Sequence, residues 1–266
     1  MVQYFLMKKI LVIILCLFSV GIVNAQPSIT TKKTVDLYLL AGQSNMAGRG
    51  IVEANDSIAV PGIWMLDKTG NWVPARDPLH FDKPKIAGVG PGFAFAKEMM
   101  VISKPVMIGL VPCAVGGTRI DAWVPGGYDS ATKTHPYDDA LIRIKQAMSS
   151  GTFKGIIWHQ GESDANEKLI PGYEAKLRAL ISRLREVTGN AQLPFVLGEL
   201  GIFNEEQKAT KGKINAIIRK VAASTAFCGL SESNGLTHRG DFTHFDAASA
   251  RELGKRYAEA MRKIEK

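Results

Sequence analysis

Short apolar runs, each stopped by a glycine, a proline or a polar cluster, punctuate the chain from residue 35 onward. They fall at residues 35–40, 106–111, 156–158, 195–197 and 226–230. A strand that buries one face alternates apolar and polar side chains. Near-continuous apolarity therefore predicts strands covered on both faces, as in a parallel sheet. Between the runs the period changes. Leu141, Ile144 and Met148, then Leu177, Leu180, Ile181 and Leu184, then Ile214, Ile217, Ile218 and Val221 recur at helical spacing. Helices are predicted over 138–148, 173–187 and 214–221, with others over 93–100 and 247–264. Asp246 stands where it can cap the last of them. Strand and helix in alternation imply right-handed crossovers, hence an α/β fold: a three-layer α/β/α sandwich with a central, mainly parallel sheet. Residues 49–91 lack this rhythm and read as a loop-rich insertion near the site.

The first 25 residues follow another logic. Lys8 and Lys9 precede an apolar stretch, residues 10–23, that closes on Val23-Asn24-Ala25. A positive end, an apolar centre and small residues at the cut describe a secretory signal peptide, residues 1–25. Its fourteen residues rise roughly 21 Å as a helix, short of the roughly 30 Å hydrocarbon core of a bilayer. Residues 26–266 are expected to form one domain, secreted or periplasmic, with no stable membrane insertion after cleavage.

Composition excludes several classes. At 46% hydrophobic and 22% charged, the chain has enough apolar residues to offset the entropy of ordering, so disorder is not expected. No fixed-period repeat suggests a solenoid or propeller. The formal charge of +8 at pH 7 falls when Lys8 and Lys9 leave. The remaining basic residues are scattered rather than gathered on one stripe, so a nucleic-acid partner is not expected. Cys113 and Cys228 sit in or beside apolar runs, where free cysteine packs as a small hydrophobe; a disulfide between them stays open.

In an open α/β sheet, ligands gather at the carboxyl ends of the strands. The first run ends in Ala41-Gly42-Gln43-Ser44-Asn45-Met46-Ala47-Gly48. Small neighbours let Ser44 present its hydroxyl and N–H to a substrate, although a capping serine would also suit the place. The second ends in Cys113-Ala114-Val115-Gly116-Gly117-Thr118-Arg119, with Trp123 close behind. Paired glycines allow close approach of the backbone, and Arg119 with Trp123 suits a polar substrate with a flat sugar face. A plain glycine turn is the alternative. The third ends in His159-Gln160-Gly161-Glu162-Ser163-Asp164. Gln160 could aim its amide at an oxyanion, and Glu162 or Asp164 could anchor a loop or an imidazole; a purely structural network also fits. Asp241 precedes His244 by three residues, close enough for its carboxylate to hold Nδ1–H and leave Nε2 to a serine. A second D-x-x-H, from Asp77 to His80, lies in the insertion and carries the stiff Pro78. The late pair, beside the last helix, is favoured. The histidines are scattered and the two cysteines lack ligand spacing, so neither metal nor cofactor is expected.

Together, Ser44 in Gly-Gln-Ser-Asn, the Gly116-Gly117 turn, His159-Gln160-Gly161-Glu162 and the terminal Asp241-x-x-His244 closely resemble the sialic-acid-specific acetylesterase / acetylxylan esterase family, carbohydrate esterase family six of the SGNH hydrolases. The resemblance covers about residues 34–262. It implies Ser44 as nucleophile, His244 as base and Asp241 as its support, with Glu162 a second candidate for that support. It implies an oxyanion hole from the N–H groups of Ser44 and Gly116 or Gly117 and from Gln160. Gln43, Asn45, Arg119 and Trp123 are candidates for substrate contact. The expected substrate is an acetylated oligo- or polysaccharide, acetylxylan or similar, with O-acetylated sialic acid as the alternative. A lipid or thioester hydrolase and a non-catalytic carbohydrate-binding protein are the remoter alternatives.

Overall fold

The computed structural model describes residues 35–265; the leader expected at residues 1–25 lies outside them. In chain order the strands are β1 Val35–Gly42, β2 Ile63–Leu66, β3 Trp72–Pro74, β4 Met107–Pro112, β5 Thr152–His159, β6 Phe195–Gly198 and β7 Cys228–Ser231. The helices are α1 Ser44–Ala47, α2 Pro91–Ile102, α3 Pro136–Ala147, α4 Ile170–Val187, α5 Glu205–Lys208, α6 Lys211–Ser224 and α7 Ala247–Ile264. One sheet contains all seven strands in the order β3-β2-β4-β1-β5-β6-β7. Only the β2–β3 pair is antiparallel.

Each central strand is apolar on both faces because each face meets its own helical layer. Leu37, Leu39 and Ala41 of β1, with Trp158 of β5, join the buried cluster built by α3, α4 and α6. Tyr38 and Leu40, the alternate residues, join the cluster that holds α2 and α7. This is a three-layer α/β/α sandwich.

The insertion is more ordered than its sequence suggested. Ile63–Leu66 forms a strand parallel to β4, and Trp72–Pro74 returns beside it as an antiparallel edge. Strands of three and four residues give too little pattern to read, and Pro74 can stand there because an edge strand has one side unpaired. The structure also answers the question left open for the cysteines. Both are free and buried. They lie on β7 and just past β4, four strand steps apart, or about 19 Å at ordinary strand spacing, far beyond disulfide reach.

Without the two inserted strands the order is β4-β1-β5-β6-β7, so the connections diverge on either side of β1. The crevice between the carboxyl ends of β1 and β5 is the switch point at which such sheets bind ligands. Gly42 closes β1 there with φ +130°, and a Cβ on it would lie 2.1 Å from the carbonyl oxygen of His159. Gln43 N–H donates to that same carbonyl at 2.9 Å. The two strands thus stay paired to their tips, and Ser44 leaves directly above β5.

Helix α7 is started by Asp246, whose Oδ1 accepts from Ser249 N–H at 2.7 Å while Oδ2 accepts from Thr237 Oγ1 at 2.5 Å. Asp246→Ala should lower stability by about 1 kcal/mol, read as a fall in the urea midpoint at constant m-value. An unchanged midpoint would show that α7 is started by its packing on α2 alone.

Candidate active site

Ser44, Asp241 and His244 meet at the crevice. Ser44 is the first residue of α1, with Gln43 in the capping position, so its side chain is not used as a cap. Its Oγ lies 3.0 Å from His244 Nε2. On the other edge of the ring, His244 Nδ1 lies 2.7 Å from Asp241 Oδ2. Asp241 Oδ1 accepts from the backbone N–H groups of Thr243 and His244 at 2.9 and 2.8 Å. Partial burial pushes the Asp241 carboxyl up, but these donors and the imidazole outweigh it and hold it at about 2. Asp241 is therefore an anion at neutral pH.

Asn45 is sealed from solvent and holds this pairing together. Its Oδ1 accepts from Phe245 N–H at 3.1 Å. Its Nδ2 donates to Glu162 Oε1 at 2.5 Å and to the Thr243 carbonyl at 3.1 Å. A backbone N–H can only donate and a carbonyl can only accept, so these partners fix which way the amide points. Asn45, a candidate for substrate contact by sequence, instead bridges the turn after β1, the loop after β5 and the His244 loop.

Glu162, the second candidate to support His244, has other neighbours. It approaches Asn45 and His159, whose Nε2 is 3.6 Å from Oε1, and it does not touch His244. Burial would raise its pKa, but His159 and Asn45 hold it at about 2. His159 in turn pairs through Nδ1 with Tyr257 OH at 3.1 Å, and that hydroxyl donates to the Trp158 carbonyl at 2.8 Å.

Gln160 is fully buried with its amide turned inward. Nε2 donates to Asp164 Oδ2, the Thr118 carbonyl and Gln43 Oε1, at 2.5, 3.1 and 3.2 Å. Tyr173 OH donates to both Gln160 oxygens, backbone and side chain. No donor is left over for an oxyanion. Gln43, likewise expected to contact substrate, is buried and accepts from Gln160 and from Ser163 N–H at 3.3 Å. Trp123 is wholly buried, edge-on against Trp158, with Nε1–H donating to Thr118 Oγ1 at 3.2 Å. It is core, not a sugar platform. Arg119 is exposed and forms no ion pair among the described residues.

The paired glycines divide their roles. Gly116 packs against Ser44, but its N–H donates to Asp82 Oδ2 at 2.8 Å. Arg49 Nη2 reaches the same oxygen at 2.6 Å, an ion pair shut away from water. The Arg49 guanidinium counters the burial of Asp82 and holds its carboxyl below the ordinary range. Gly117, at φ +92°, is exposed, and its N–H has no acceptor among the described residues. Nothing in the sequence marked the Arg49–Asp82 pair except a charged residue closing an otherwise small and apolar turn.

The rival Asp77 and His80 are each sealed in separately. Burial keeps His80 neutral, pushed down to about 4. Burial, with the Asp56 carboxylate adding to it, pushes Asp77 up to about 8. A raised carboxyl supports the fold most fully below its ordinary value near 4, and that support drains away as pH climbs through 8. Asp77→Asn should accordingly gain stability relative to the parent as pH rises from 4 to 8, followed by urea midpoints. A difference that stays constant over this range would contradict a buried, protonated Asp77.

Residues 34–263 match the family described as "Carbohydrate esterase, sialic acid-specific acetylesterase". The chain is 30% identical over 248 residues to an Arabidopsis thaliana protein described as a "Probable carbohydrate esterase", covering 84% of this chain and 89% of that one. It is similar to a solved Arabidopsis thaliana structure with a TM-score of 0.76 at 26% identity, over 88% of this chain and 100% of that one. A carbohydrate acetylesterase from Xanthomonas citri shares the fold, with a TM-score of 0.69 at 21% identity, over 86% of this chain and 56% of that one.

Proposed function

The chain belongs to the sialic acid-specific acetylesterase family of carbohydrate esterases, and on that premise we propose that it removes acetyl groups from sugar hydroxyls through an acetyl-serine intermediate. The single observation that carries the reading is the unbroken relay from Asp241 Oδ2 to His244 Nδ1 and from Nε2 to Ser44 Oγ, at 2.7 and 3.0 Å.

Ser44 Oγ attacks the acetyl carbonyl as His244 Nε2 takes its proton, and the carbonyl π pair moves onto oxygen. Asp241, already an anion, steadies the imidazolium that forms. The backbone N–H groups of Ser44 and Gly117 face the oxyanion; a preorganised donor of this kind contributes about 3 kcal/mol. Gly116 is not among them because Asp82 holds its N–H. Collapse of the tetrahedral adduct breaks the bond to the sugar oxygen, which leaves with the proton from His244. Water then enters by the same route and releases acetate.

An acetylated polysaccharide such as acetylxylan is the substrate proposed, and the family's own description favours O-acetylated sialic acid as the second reading. Arg119, exposed and unpaired, suits a carboxylate on either substrate, a glucuronic acid branch in the first case or the sialic acid itself in the second. The family's description as an acetylesterase supports acetyl as the group removed. The apolar leader expected at residues 1–25 supports export to the periplasm or beyond.

Acetate release from acetylated xylan and from O-acetylated sialic acid tests the reading. The protein should release acetate from at least one, and Ser44→Ala should lose about four orders of magnitude or more in kcat. A Ser44→Ala variant that kept near-full activity would remove the serine from this role.

A further inference from the structure

The exposed aromatic residue nearest the relay in the chain is Phe242, between Asp241 and Thr243. Its backbone lies in the left-handed region at φ +52°, where a bulky side chain is a true outlier and strain often marks function. The local cause is clear. Asp241 Oδ1 gathers the N–H groups of Thr243 and His244, so the chain curls tightly after Asp241, and the turn it forms here places residue 242 at a positive φ. Glycine does this without cost. The core does not ask for phenylalanine either, because Phe242 is 48% exposed.

The ring is nonetheless firmly seated. It lies almost flat on His238, centroids 4.2 Å apart and planes 31° from parallel. His238 rests on Phe203 at 5.1 Å, Phe203 on Phe245 at 5.5 Å, and Phe245 on buried His159 at 5.6 Å. Its backbone is pinned as well: Gln207 Nε2 donates to the Phe242 carbonyl at 2.6 Å, and Phe242 N–H donates to His238 Nδ1 at 3.2 Å. An aromatic column rooted in the core thus ends in an open ring, beside Asp241 and two residues from His244.

We propose that Phe242 is a stacking platform for a pyranose ring of the acetylated substrate, fixing the sugar that carries the ester against the Ser44–His244 pair. The inference rests on the esterase reading and names a binding contact for that same site. A pyranose offers a C–H face that suits an aromatic ring and a rim of hydroxyls that remain in water, which a half-exposed ring at a polar rim satisfies. A long acyl chain would instead call for an enclosed apolar channel, and the column gives one flat face.

The test compares kcat/KM for an acetylated xylo-oligosaccharide with that for methyl acetate, in the parent, Phe242→Gly and Phe242→Tyr. Glycine relieves the strained φ, so Phe242→Gly should melt no lower than the parent, and a loss of function is then not a loss of fold. The sugar-to-methyl-ester ratio should fall about tenfold in Phe242→Gly, through KM for the sugar ester, and Phe242→Tyr should restore it. An unchanged ratio would overturn the proposal. So would a fall of both substrates in step, which would make the residue a support for Asp241 alone. No acetate from either substrate with the parent would remove the esterase reading and this one together.

Discussion

Two hundred positions separate Ser44 from His244, yet their reactive atoms lie 3.0 Å apart. The constraint that achieves this is the amide of Asn45. Three hydrogen bonds from one buried side chain join the turn after β1, the loop after β5 and the loop before α7. Because the amide is sealed from water, losing any one partner would leave a desolvated group unpaired, at a cost of about 1–3 kcal/mol. That penalty makes the joined arrangement the stable one. Ser44 does not have to hold the loop that carries His244; Asn45, its neighbour, ties the chain on both sides of that histidine through the Thr243 carbonyl and the Phe245 N–H.

Around this clamp the charges are arranged so that the reactive surface stays open. Four carboxylates lie close to the crevice, and three are engaged away from the serine. Glu162 faces His159 and Asn45, Asp164 takes the Gln160 amide, and Asp82 is neutralised by Arg49. Of these four, only Asp241 reaches the His244 ring. The Arg49–Asp82 pair also anchors the loop after β4 by its Gly116 N–H, while Gly117, one residue further and left-handed, stays exposed. A buried ion pair is weak evidence for stability, so fixing this loop is the better account of its presence.

How far the sequence carried depended on what kind of question was asked of it. Doubly apolar strands and helical periods located the sheet, the layers and the crevice, because those patterns are imposed by burial on both faces. The β2–β3 pair escaped because strands of three and four residues hold too few positions to show a period. The structure brings Ser44, Asp241 and His244 of the motifs to one crevice, but the orientations of the other motif residues were not legible. Trp123 has the chemistry of a sugar platform and is core; Gln160 has the chemistry of an oxyanion donor and spends every N–H internally. Asn45 looked like a substrate ligand for the same reason. Residue type and spacing state what a side chain can do, whereas its direction depends on long-range partners such as Thr118, Asp164 and Thr243. Phe242 was invisible for the opposite reason. Its significance lies in a backbone angle and an exposed ring, neither of which a sequence displays.

The central claim is that Asn45 places His244 on Ser44 and so makes that serine a nucleophile. It is tested most directly by the rate at which a fluorophosphonate modifies the protein, with the adduct located by peptide mass, in the parent and in Asn45→Ala. The account predicts an adduct on Ser44 that forms at least about a hundredfold more slowly in the variant, while the variant keeps its fold by circular dichroism. Equal rates in the two proteins, or an adduct on any other residue, would contradict it.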